Sequence, residues 1–199
     1  MNLPNKLTVS RFALTGLFLV AIFWRSRYYN DTAALVFFCV AGITDFLDGK
    51  IARDRNLITN FGKLMDPLAD KILTCSAFIA LVERGQGAGW TGVKVHAWMV
   101  VIIVARELAI TGLRLLAASK NVVLAAEGFG KHKTISQITA IIALLVLEAY
   151  VEWGRWAEIC LKPWVPTFAL VALYLTVILT FSSGVLYLWR NRRVYLDEV

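Results

Sequence analysis

The stretch Asp45-Phe46-Leu47-Asp48-Gly49-Lys50-Ile51-Ala52-Arg53 is followed by Gly62-Lys63-Leu64-Met65-Asp66-Pro67-Leu68-Ala69-Asp70-Lys71. Asp45 and Asp48 stand three residues apart, and Asp66 and Asp70 four apart, so on a helix each pair shares one face. The first pair closes one long apolar block and the second opens the next. Because the chain turns back between them, all four carboxylates are expected at one depth. Pro67 fits the first position of a helix capped by Asp66, or a kink in a continuous helix.

Outward from this segment the sequence falls into six hydrophobic blocks, approximately 7–24, 32–52, 61–83, 95–118, 134–152 and 165–189. Each approaches the roughly 20 residues an α-helix needs to cross hydrocarbon. Of the 199 residues, 58% are hydrophobic, and the mean hydropathy is +0.64. Soluble domains average roughly 45–50% apolar residues. The expectation is an all-α polytopic membrane protein with six transmembrane helices and a single domain over residues 1–199.

The net charge of +7 suits anionic lipid and phosphorylated substrates. Nucleic acid is not expected, because the basic residues sit between apolar spans rather than on a water-facing arm. With six spans both termini lie on one side. Most lysines and arginines fall toward that side, including Arg190, Arg192 and Arg193. By the positive-inside tendency the termini are cytoplasmic. Trp153, Trp156 and Trp164 flank the last outer loop, where indoles favour the interface. Cys39, Cys75 and Cys160 are far apart and form no metal or disulfide pattern. The first apolar stretch carries no small-residue cleavage site and is expected to be retained.

Four carboxylates held this close cannot all stay ionised without cations. Oxygen-only donors suit Mg²⁺, Mn²⁺ or Ca²⁺ rather than zinc. Two such ions would clamp a diphosphate and offset charge on its leaving group. The blander reading makes the aspartates helix caps and salt-bridge partners of Lys50, Arg53, Arg55 and Lys71. Acids at such paired spacings in spans are rare and usually functional, which favours the metal reading.

Asp45, Asp48, Gly49, Ala52, Arg53, Gly62, Asp66 and Asp70 spell Asp-x2-Asp-Gly-x2-Ala-Arg-x8-Gly-x3-Asp-x3-Asp. This resembles the signature of the CDP-alcohol phosphatidyltransferase family at every fixed position. Three further segments resemble its phosphatidylglycerophosphate synthase branch: Asn2 to Arg11, Arg106 to Arg114, and Gly130 to Thr134. The resemblance implies a six-helix membrane fold, usually homodimeric, with an active-site cavity opening to the cytoplasm and with CDP-diacylglycerol and sn-glycerol 3-phosphate as substrates. It implies two divalent cations, Mg²⁺ or Mn²⁺, with Ca²⁺ as an inhibitor or a crystallographic substitute. Asp45, Asp48 and Asp66 would hold metal, and Asp70 would act as general base while also touching a metal.

By the same resemblance Asn5, Thr8, Gly49, Ala52, Arg53 and Gly62 would receive the CDP-lipid. The glycines and Ala52 would leave room for the nucleotide, and Arg53 would meet its phosphates. The acceptor's phosphate dianion needs cations, and Arg106, Arg114, Lys131 and Lys133 are placed to supply them, with Thr111 as a hydroxyl donor. Thr134 could add a second hydroxyl. Against these stand a basic loop touching headgroups for the lysines and a simple ion pair with Glu107 for Arg106. His96 and His132 are not expected to take part. The alternatives are the same chemistry on inositol phosphate, serine or phosphatidylglycerol, or a divalent-cation transporter. A bacterial inner membrane is the expected location.

Overall fold

The computed structural model describes residues 3–24, 29–54, 60–85, 92–120 and 129–196, and every regular element among them is helical. Six long helices dominate: α1 (Leu3–Phe23), α2 (Asn30–Asp54), α3 (Asn60–Arg84), α4 (Ala97–Ser119), α5 (Phe129–Ala149) and α7 (Val165–Arg190). At 1.5 Å per residue even the 21-residue α1 is long enough for the roughly 30 Å hydrocarbon core. These helices coincide with the six apolar blocks. A 3-10 turn (Tyr150–Trp153), α6 (Arg155–Leu161) and α8 (Arg193–Leu196) complete the order. Gly154 joins the 3-10 turn to α6 at φ 84°, a backbone setting that glycine adopts without strain.

The structure decides between the two readings of Pro67 and moves one boundary. Helix α3 starts at Asn60 and runs through Pro67, so Asp66 is an interior helical residue rather than a cap. Pro67 removes one backbone hydrogen bond there. Helix α5 starts at Phe129 rather than at 134. Lysines at a helix N-terminus oppose the macrodipole, which is why the stretch reads as a loop in sequence. Lys133 in fact lies inside α5 and is 4% exposed.

The core is apolar and shared among the long helices. Phe18 of α1, Phe38 of α2 and Phe78 of α3 are buried with Met99 and Ile103 of α4, Ile141 and Leu144 of α5, and Leu173 of α7. The Phe18 and Phe38 rings sit 5.9 Å apart at a tilt of 57°, within the range that aromatic pairs prefer. Helix α1 packs on α2 and α3, while α5 bridges α2 and α7.

The outward faces are apolar as well, with Val36, Ile79, Val101, Leu108, Val171, Ile178 and Phe181 each at least half exposed. Water would not tolerate so much exposed apolar surface, whereas lipid tails solvate it. Two described stretches, His132–Trp153 and Val165–Arg190, are both long and apolar enough to cross a membrane. Helices α2, α3 and α4 have the length, but the charges of the aspartate segment and of Arg106 to Arg114 lower their apolar character. The chain is a helical membrane protein.

At the end of α2 away from the aspartates a polar cluster ties three helices together. Glu152 accepts from the backbone N–H of Asp31 (3.0 Å) and Thr32 (2.9 Å) and from the Thr32 hydroxyl (2.6 Å). It thereby satisfies free donors at the start of α2. Arg84, at the end of α3, pairs with Asp31 and with Glu148 of α5, the latter at 3.1 Å. The Glu148 side chain is only 6% exposed. Removing one partner of a buried ion pair costs about 3–5 kcal/mol. Arg84→Met should therefore lower the thermal unfolding temperature in detergent, while an unchanged midpoint would show that this pairing contributes nothing to stability.

Candidate functional site

Helices α2 and α3 carry the aspartates, and helical periodicity alone sets each pair on one face. Asp45 sits in the last turns of α2 with its side chain 44% exposed, 2.6 Å from the Arg11 guanidinium. Arg11 projects from α1 and is fully buried. Nothing local in the sequence indicates this pairing, although a charged residue inside an apolar block is a functional signal in itself. Asp48 and Asp66 are placed on α2 and α3 by the backbone, but their side chains lie outside the described residues. The same holds for Asn5, Thr8, Gly49, Ala52, Arg53, Gly62 and Lys131. Among the described residues no three metal-ligating side chains converge.

Asp70 faces a cavity of about 220 Å³. Helix α3 lines it with Asp70, Lys71 and Thr74, and helix α5 with Lys133, Thr134 and Gln137. Helix α4 adds Arg106, Glu107, Ile110, Thr111 and Arg114. Four of the five residues expected to hold the acceptor's phosphate, Arg106, Thr111, Arg114 and Lys133, thus share one chamber with the expected base. The volume lies below the roughly 300–1,000 Å³ typical of pockets for drug-sized ligands. It suits a small polar molecule.

The cations of this chamber are held by a fixed polar frame. Glu107, 7% exposed, receives a hydrogen bond from Lys133. Its Oε1 also lies 3.5 Å from Nη1 of Arg106. Arg106 reaches Ser183 of α7 at 3.4 Å. Arg114 donates to the Tyr187 hydroxyl at 3.4 Å and lies over the Tyr187 ring, 5.8 Å from its centre. That placement is within cation–π range. Lys71 donates to Thr111, whose own hydroxyl donates to the Glu107 carbonyl at 2.7 Å.

Lys71, Arg106, Arg114 and Lys133 outweigh Asp70 and Glu107, so the lining carries an excess of positive charge. Arginine forks and lysine ammonium groups around a small cavity are what a phosphate dianion requires. Lys133 belongs to this buried frame, not to a solvent-facing basic loop. The Glu107 contact with Arg106 is real, but the guanidinium still lines the cavity and is shared with Ser183.

Gly184 of α7 makes room for this arrangement. A Cβ there would stand 2.7 Å from Cγ of Arg106, closer than packed carbons approach. The absent side chain lets the stem of Arg106 cross α7 on its way to the cavity. Sequence alone gives no sign of Gly184, because the contact joins helices far apart in the chain.

Comparison with known proteins bears on the whole of this arrangement. Residues 1–189 match the CDP-alcohol phosphatidyltransferase family. A Bacillus subtilis (strain 168) protein named CDP-diacylglycerol–glycerol-3-phosphate 3-phosphatidyltransferase is 38% identical over 96% of this chain and 95% of its own. Proteins of the same name from Escherichia coli (strain K12) and Shigella flexneri are each 31% identical, over 99% of this chain and 98% of theirs. The family match spans residues 1–189, from α1 through the aspartate helices and the cavity into α7, and the chain belongs to the CDP-alcohol phosphatidyltransferase family.

Proposed function

We infer that the chain transfers the phosphatidyl group of CDP-diacylglycerol to sn-glycerol 3-phosphate, giving phosphatidylglycerophosphate and CMP. The observation that carries this reading is the single cavity in which Asp70 meets Arg106, Thr111, Arg114 and Lys133. The name that these relatives carry specifies the same donor and acceptor.

In this mechanism Arg106, Arg114, Lys131 and Lys133 bind the acceptor's phosphate, and Thr111 donates a hydroxyl hydrogen bond. The free primary hydroxyl of the acceptor then faces Asp70. Its oxygen bonds to the phosphorus that carries the diacylglycerol, and the bond from that phosphorus to the CMP oxygen breaks. CMP leaves with the electron pair, and the hydroxyl proton passes to Asp70. A carboxylate is a weak base toward an alcohol, so proton transfer accompanies attack. Arg53 meets the donor's phosphates, and Gly49, Ala52 and Gly62 leave room for its nucleotide, with Asn5 and Thr8 nearby on α1.

Asp45, Asp48, Asp66 and Asp70 would hold two divalent cations, Mg²⁺ or Mn²⁺. The half-exposed Asp45 carboxylate and the all-oxygen donor set fit such ions. When bound they supply electrostatic stabilisation of the diphosphate and its leaving group. The six long helices each cross the membrane, with both termini and the cavity mouth on the cytoplasmic side of a bacterial inner membrane. Residues 1–199 form one domain that pairs as a homodimer.

Gly184→Ala tests the acceptor half of this mechanism. The added methyl pushes the Arg106 stem, and overpacking of this kind costs about 1–3 kcal/mol. The KM for glycerol 3-phosphate should rise about tenfold while that for the CDP-lipid holds. In an Arg106→Ala background the same change should cost nothing further; an equal penalty in both backgrounds would mean that Gly184 does not act through Arg106.

The function itself is tested by CMP release in detergent micelles with Mg²⁺ or Mn²⁺. Glycerol 3-phosphate, inositol phosphate and serine are compared as acceptors. Release specific to glycerol 3-phosphate and lost with EDTA is expected. Release with another acceptor would keep the aspartate chemistry and overturn the reading of the basic cavity.

A further inference from the structure

Gln137 has no role in the mechanism above, yet it lines the same cavity as Asp70 and Lys133. It is 3% exposed, and its side-chain nitrogen has no hydrogen-bond partner among the described residues. A buried amide donor left unsatisfied costs about 1–3 kcal/mol. Such a group at a cavity wall is accounted for by a ligand that completes it.

The position of Gln137 indicates which part of the ligand it meets. On α5 it lies four residues beyond Lys133, hence just over one helical turn, about 6 Å, farther from the basic end of that helix. The phosphate dianion belongs with Lys133, Arg106 and Arg114. The group that reaches one turn deeper is the neutral, hydroxyl-bearing part of the acceptor. A carboxamide is matched to a hydroxyl because it can donate to the oxygen and accept from its hydrogen. The primary hydroxyl is already committed to Asp70, which leaves the secondary one.

We propose that Gln137 reads the secondary hydroxyl of the acceptor, so that the cavity selects a phosphorylated 1,2-diol over a phosphorylated simple alcohol. This rests on the glycerol 3-phosphate reading above. A site built to hydrogen-bond a hydroxyl rejects the analogue that lacks it, because its own polar group is then left unpaired.

The test compares glycerol 3-phosphate with 3-hydroxypropyl phosphate, which keeps the primary hydroxyl and the phosphate and lacks only the secondary hydroxyl. The wild-type protein should favour glycerol 3-phosphate in kcat/KM by about 10–100-fold, the size of one buried unsatisfied donor. Gln137→Met, close in volume and without polar amide atoms, should bring that ratio near one by losing activity on glycerol 3-phosphate alone. Gln137→Asn, whose amide is withdrawn by one methylene, should fall between. A wild-type ratio near one overturns the proposal without any variant. A ratio that Gln137→Met leaves at the wild-type value overturns it as well. If the wild-type protein uses neither phosphate ester but does use another acceptor, the glycerol 3-phosphate reading itself has failed.

Discussion

Asp70→Asn lowers turnover by about 10²–10⁴-fold, the range supplied by a positioned general base, while Mn²⁺ binding partly survives. The substitution keeps the size of the side chain and its place on α3. It removes the negative charge and the capacity to accept a proton at the wall of the chamber that Asp70 shares with Arg106 and Lys133. The other three acidic positions remain, so a divalent cation still finds oxygen donors, at reduced affinity. Two readouts separate the roles: kcat reports the base, and Mn²⁺ binding followed by electron paramagnetic resonance reports the ligand set. Turnover within a few-fold of wild type would remove Asp70 as base. Complete loss of Mn²⁺ binding would instead make it chiefly a metal ligand.

Lys133→Ala should raise the KM for glycerol 3-phosphate about 10–100-fold, as expected for one charge-assisted hydrogen bond of roughly 1.5–3 kcal/mol. The KM for the CDP-lipid should change much less. The structure adds a second effect. Lys133 is the buried partner of Glu107, so its removal leaves a carboxylate whose remaining cationic neighbour among the described residues is Arg106, at 3.5 Å. Glu107 then draws Arg106 toward itself, and both phosphate ligands are compromised together. Stability falls as well, because a buried charge has lost its counter-ion.

The double variant Glu107→Gln with Lys133→Met separates the two consequences. Without the stranded charge, thermal stability should recover, whereas the acceptor KM should stay high. If the KM recovered together with stability, Lys133 would be a structural ion-pair partner and not a phosphate ligand. An equal rise in KM for both substrates would argue against an acceptor-specific role.

The helices were legible because apolar blocks of this length have few alternatives to a membrane-spanning helix. The paired aspartates were legible because spacings of three and four place side chains on one helix face whatever the tertiary fold. The start of α5 at Phe129 is not legible, because Gly130 and the lysines after it have the local character of a loop. The burial that holds Lys133 in the helix depends on Glu107, 26 residues away. Arg11 was visible as a charge in an apolar block, but its pairing with Asp45 required α1 to pack against α2. Gly184 and Gln137 carried no local signal at all. One matters for the side chain it lets pass and the other for a bond it has not made, and both facts arise only when α4, α5 and α7 come together.

The most direct test of the central claim is the stoichiometry of the reaction in liposomes that contain CDP-diacylglycerol. The purified protein, Mg²⁺ and sn-glycerol 3-phosphate are added, and CMP and the lipid product are quantified by mass spectrometry. The account predicts one phosphatidylglycerophosphate for each CMP, and neither product when the acceptor is left out. CMP released at the same rate without acceptor, with phosphatidic acid as the lipid product, would make the chain a hydrolase and contradict the account.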